Sequence, residues 1–126
     1  MSLLLDTCIL IDYLRGKERS VDYLEGLGVA PTISVITVME LTAGAKGKRE
    51  ESQMAELFSA FNVIDVDRVV AEEAGRLLAQ YARSHAVDPP DALIAATARC
   101  HDLDLVTHNI KHFPMFKGLK RPYKVR

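Results

Sequence analysis

Leu3-Leu4-Leu5-Asp6-Thr7-Cys8-Ile9-Leu10-Ile11-Asp12 sets three aliphatic residues directly before an acid and then changes its period. Leu3–Leu5 is a short apolar run without polar alternation, the pattern of a strand covered on both faces. After Asp6, Leu10, Ile11 and Leu14 recur at helical spacing, and Gly16 suits the stop of a helix over Thr7–Leu14.

The same alternation continues along the chain. Further strands are predicted at Pro31–Val35, Val63–Val66 and Leu103–Thr107, with a fifth at Tyr123–Val125. Helices are predicted around Val21–Leu27, at Thr37–Ala45 with Ser34 or Thr37 as cap, and at Glu51–Phe61, Val69–Ala86 and Ala92–Arg99. Short apolar strands alternating with helices predict a single three-layer α/β/α domain over residues 1–126, with a mainly parallel sheet of four or five strands. In such sheets the functional crevice lies beyond the carboxyl ends of the strands.

The 126 residues are 48% apolar and 26% charged, enough to build a core without a disulfide or structural metal. No run approaches the ~20 apolar residues of a membrane span, and no leader-like segment opens the chain, so a cytoplasmic protein without a membrane partner is expected. Cys8 and Cys100 form no C-x-x-C motif and are expected as two packed thiols. Sixteen Lys and Arg against 17 Asp and Glu argue against a uniformly basic nucleic-acid binder. The average conceals an asymmetry. Residues 111–126 hold Lys111, Lys117, Lys120, Arg121, Lys124 and Arg126 and no acid, a strip suited to phosphates.

Four polar residues fall at predicted strand ends or helix starts. Asp6 ends the first strand, Glu40 lies early in the helix after the second, Asp91 opens the helix before the fourth, and Asn109 follows that strand. Carboxylates crowded in one crevice repel each other, and a hard divalent cation removes the conflict. Each residue also has an ordinary structural use. Asp6 suits an N-cap, Asp91 suits a first helical turn, Glu40 suits a solvated face, and Asn109 suits a turn.

Four blocks in order resemble PIN-domain ribonucleases: Leu5-Asp6-Thr7-Cys8-Ile9-Leu10-Ile11-Asp12; Ser34-Val35-Ile36-Thr37-Val38-Met39-Glu40-Leu41 with Gly44; Asp91-Ala92-Leu93-Ile94-Ala95-Ala96-Thr97-Ala98; and Leu105-Val106-Thr107-His108-Asn109 with Phe113. The length is similar to that of bacterial VapC-type toxins. The resemblance implies an endoribonuclease that uses Mg2+ or Mn2+, is held inactive by a cognate VapB-type antitoxin, forms a homodimer, and leaves 5′-phosphate and 3′-hydroxyl ends.

Asp6, Glu40 and Asp91 match the family's acidic metal positions, and Asn109 matches the polar position of its fourth motif. His112 precedes Phe113 where many relatives carry an acid, so one ion is expected rather than two. Thr7, Thr107, His112, Lys111 and Lys117 are the candidate substrate-binding residues. The alternative is a catalytically weak PIN-like protein acting mainly as an antitoxin- or RNA-binding module. His108 and His112, four apart, raise a lesser zinc reading, unsupported by any H-E-x-x-H.

Overall fold

The structure is a computed structural model that describes residues 2–124. Four short strands, β1 (Leu3–Leu5), β2 (Thr32–Ser34), β3 (Asn62–Ile64) and β4 (Asp104–Val106), form one sheet in the order β3-β2-β1-β4. Every pairing is parallel, with Leu4 opposite Thr32 and Leu105. Six helices connect them: α1 (Thr7–Leu14), α2 (Glu18–Glu25), α3 (Val35–Gly44), α4 (Gly47–Ser59), α5 (Arg68–His85) and α6 (Pro89–Cys100). A 3-10 turn follows at Ile110–His112.

The central strands explain the apolar run at the start. Leu4 and Leu5 are fully buried and enter two different cores, because successive side chains of a strand point to opposite faces. Leu4 packs with Val70 and Leu77 of α5, Ile94 of α6, and Phe113 after the 3-10 turn. Leu5 packs with Ile9, Leu10, Ile33 and Leu41 on the other face. The helices therefore cover both sides of the sheet, which is the predicted three-layer arrangement.

Several local expectations are corrected. Ser34 is the cap of α3: its hydroxyl accepts from the Ile36 N–H at 3.0 Å, so the helix starts at Val35 rather than Thr37. Helix α4 starts four residues before the expected Glu51. Helix α6 opens at Pro89 because Asp88 caps it, accepting from the Asp91 N–H at 3.1 Å. Both prolines fit the first turn, where N–H groups have no helical acceptor. Strand β3 is an edge strand that starts one residue and ends two residues earlier than predicted, with Val63 exposed. The expected fifth strand does not form at Tyr123 and Lys124, and Val125 lies outside the described residues. Cys8 is half-buried, but Cys100 is exposed and not packed. Among the described residues no helix is long and apolar enough to cross a membrane.

Candidate active site

Asp6 stands where β1 gives way to α1, one strand away from Thr107 at the end of β4. Its carboxylate is 4% exposed and thoroughly held. Oδ1 accepts from the Thr7 N–H at 2.8 Å, which caps α1, and Oδ2 accepts from the Thr107 hydroxyl at 2.7 Å and the Cys8 thiol at 3.5 Å. Asp6 is thus both a cap and a member of the crevice. Three contacts leave part of the carboxylate's lone-pair capacity unused.

Glu40 joins through a chain of hydroxyls. Thr7 Oγ1 donates to Glu40 Oε1 at 2.6 Å, so its lone proton is committed and Thr37 Oγ1, 2.9 Å away, must donate to it. Thr37 and Glu40 lie three apart on α3 and share a face. Asp91 enters from α6. Among the described residues its buried Oδ2 has no hydrogen-bond partner, and His112 Nδ1 lies 3.3 Å from it. The Asn109 N–H donates to Thr107 Oγ1 at 2.9 Å, which sets that exposed residue beside the Asp6–Thr107 pair.

The two aspartates do not sit comfortably together as anions. Burial raises the Asp6 carboxyl above its ordinary value, against the hydrogen bonds from Thr107, Thr7 and Cys8. Asp91 is pushed up to about 7, by burial first, then by Asp88 and by the charge of Asp6. The Cys8 thiol rises to about 11 through burial and Asp6, so it stays neutral.

These shifts have a consequence for stability. Between about pH 4, where an unfolded aspartate titrates, and about pH 7, Asp91 holds more of its proton in the folded chain than in the unfolded one. The contribution of Asp91 to stability without metal therefore falls as pH rises through that window. Thermal denaturation in EDTA at stepped pH is expected to show the fall, and Asp91→Asn to flatten it. A slope untouched by the substitution contradicts the shift.

The structure separates some residues that the sequence grouped. Lys111 is exposed on the 3-10 turn next to His112. Lys117 instead lines a cavity of about 520 Å³ with Asp102, Leu103 and Asp104, at the beginning of β4 and so at the opposite end from the acids. His108 and His112 do not share a site. His112 faces Asp91, whereas His108 is buried against Asp12 with its Nε2 3.7 Å from Oδ2. The 3-10 turn starts after His108, so the four-residue spacing never places both rings on one helical face. Thr37, Cys8 and Asp88 act on the crevice but were not singled out from sequence. The position of Thr37 one turn before Glu40 was a usable signal.

The donor set suits a hard divalent cation. Asp91 Oδ2 is buried and unpartnered, both aspartates are disfavoured as anions, and the acids Asp6 and Asp91 offer hard carboxylate oxygens beside the His112 imidazole. Among the described residues no three His, Cys, Asp or Glu side chains are grouped so that together they could hold a metal ion. Mg2+ commonly uses one or two carboxylates and fills the rest of its shell with water and substrate oxygens, so a sparse set still fits it.

The PIN domain family matches residues 3–115 of this chain. A relative, Ribonuclease VapC10 of Mycobacterium tuberculosis, is 39% identical over 126 residues, covering 98% of this chain and 94% of that protein. The chain belongs to the PIN-domain family, in its VapC branch. The tRNA(fMet)-specific endonuclease VapC of Shigella flexneri is 35% identical over 130 residues, covering 95% of this chain and 96% of that protein. A solved toxin-antitoxin complex from Klebsiella pneumoniae contains a chain with a TM-score of 0.84 and 36% identity, over 98% of this chain and all of that one. The parallel sheet and flanking helices described above are accordingly the PIN fold.

Proposed function

We propose that this PIN domain is a metal-dependent endoribonuclease, the cytoplasmic toxin of a type II toxin–antitoxin pair. The observation that carries the reading is the meeting of Asp6 and Asp91 in one crevice, each resisting ionisation, with a buried carboxylate oxygen left unpartnered. The names of the VapC relatives support RNA as the substrate. The toxin-antitoxin complex supports an antitoxin as partner, and its VapB type and a homodimer are expected by family resemblance.

Asp6 and Asp91 would hold Mg2+ or Mn2+, with Glu40 through water. The ion would supply Lewis acidity and a bound water acidic enough to attack a phosphodiester. The remaining work belongs to the chain. Thr107 and the Thr7 N–H fix the Asp6 carboxylate from both sides, so it needs little reordering when a ligand arrives. Thr7 secures Glu40 by Oε1, leaving Oε2 to accept a proton from the attacking water. The Asn109 amide and the His112 imidazole contact the RNA phosphate, and Lys111 meets a neighbouring one. Lys117 is too far along β4 for the scissile phosphate.

Purified protein freed of antitoxin is expected to cut structured RNAs with Mg2+ or Mn2+, to stop in EDTA, and to leave 5′-phosphate and 3′-hydroxyl ends. RNA left intact in both metals contradicts the reading. Tight RNA or antitoxin binding in the same sample would then favour the catalytically weak binding module. Cleavage that persists in EDTA contradicts metal dependence.

A further inference from the structure

Beside the crevice lies a second polar cluster that the reaction does not use. Asp12, on α1, is 8% exposed and takes three partners. Lys17 Nζ is 3.3 Å from its Oδ1, the Tyr123 phenol donates to Oδ2 at 3.0 Å, and His108 Nε2 is 3.7 Å from Oδ2. The His108 ring is buried, and among the described residues neither of its nitrogens has a hydrogen-bond partner. Burying a polar ring unpaired is unfavourable, so something other than its own hydrogen bonds keeps it inside. Tyr123 covers it edge-on, with ring centroids 4.4 Å apart at 78°.

The cover comes from the far end of the chain. Met115, Phe116 and Leu119 still pack on the α5–α6 core, and only after them does the chain reach the other core, where Tyr123 packs beside Tyr23 of α2. Arg19 Nη1 donates to the Lys124 carbonyl at 3.4 Å, and the Tyr23 and Tyr123 rings lie 5.8 Å apart. Burial and Asp12 push the Tyr123 phenol up to about 12, so it remains a donor at any working pH.

What the strap presses on is the end of β4. The His108 N–H donates to Cys8 Sγ at 3.4 Å, between Thr107, whose hydroxyl holds Asp6, and Asn109. A ring locked at position 108 fixes the backbone on either side of it. We propose that Tyr123, together with Asp12, is a positioning residue for the ribonuclease reaction, clamping His108 so that Thr107 and Asn109 stay registered on Asp6. The inference rests on the ribonuclease reading, and it assigns a role to the C-terminal strap that is separate from any contact with RNA.

The test uses the full chain and two variants, Tyr123→Phe and Tyr123→Ala. Cleavage kinetics on a short RNA are read beside hydrogen exchange of the His108 and Asn109 amides. Removing only the hydroxyl is expected to lower kcat about 3- to 10-fold with KM unchanged, and removing the ring about 100-fold, since small misplacements of reacting groups cost rate steeply. Exchange at both amides is expected to quicken in the same order, and Tyr123→Phe to keep its Tm within about 2 °C. A rise in KM at constant kcat overturns the proposal, because Tyr123 would then touch substrate. So does a change in exchange without one in kcat, or the reverse. Wild-type protein that cuts no RNA overturns the ribonuclease reading itself. The exchange rates, which do not depend on turnover, separate that outcome from failure of the clamp.

Discussion

Asp6→Asn and Asp91→Asn are each expected to lower RNA cleavage by about 10³-fold while the protein stays folded. Asparagine keeps the shape of aspartate and caps helices about as well, so the Thr7 N–H at the start of α1 retains an acceptor. What is lost is the charge and, at Asp6, the second acceptor that the Thr107 hydroxyl uses. In Asp91→Asn that loss relieves the repulsion from Asp6 and Asp88, so the metal-free variant is expected to melt higher than wild type at pH 7.5. Opposite changes in activity and stability mark a site whose charges are kept for chemistry. Cleavage assays and thermal melts on the same preparations check both signs. A variant that loses activity and melts lower has lost structure, and contradicts the assignment.

Phe113→Ala is expected to be the most damaging single substitution for the fold. Phe113 is fully buried, the largest side chain so enclosed, and packs in the core that includes Leu4, Ile94 and Leu105. Its backbone also closes the 3-10 turn, with its N–H on the Ile110 carbonyl at 3.1 Å and its carbonyl accepting from the Phe116 N–H at 3.1 Å. Truncation removes the apolar contacts and leaves a cavity that a close-packed core fills only in part. The expected cost is about 3–5 kcal/mol, which lowers Tm by roughly 10–20 °C in a domain of this size. Denaturant titration measures it. A loss below about 1 kcal/mol shows that Phe113 does not anchor the segment carrying Thr107–His112.

Much of the fold was legible because its signals were local. Leu3–Leu5 reads as a strand covered on both faces, and Leu4 and Leu5 do enter opposite cores. The fifth strand failed for a tertiary reason. Tyr123 is drawn to Asp12 on α1, a partner 111 positions away, and no short-range pattern signals that pairing. Helix α6 starts earlier than its apolar residues signal because the Asp88 side chain caps it and makes Pro89 the first helical residue.

The acids of the candidate site were legible from position, at strand ends and a helix start. How they are held was not. The Thr37–Thr7–Glu40 relay and the Thr107–Asp6 bond cross between elements. The basic strip misled for a similar reason. Charge counted along residues 111–126 does not report direction, and the chain carries Lys111 and Lys117 to opposite ends of β4.

The central claim is that Asp6 and Asp91 hold a divalent cation. Calorimetric titration of the metal-free protein with Mn2+ at pH 7, repeated in buffers of different ionisation enthalpy, tests it most directly. Because Asp91 lies near its midpoint there, binding is expected to release a fraction of a proton. Asp91→Asn should weaken binding and abolish the release, and Asp6→Asn should weaken binding. Mn2+ that binds wild type and both variants with equal affinity, or binds none of them, contradicts the account.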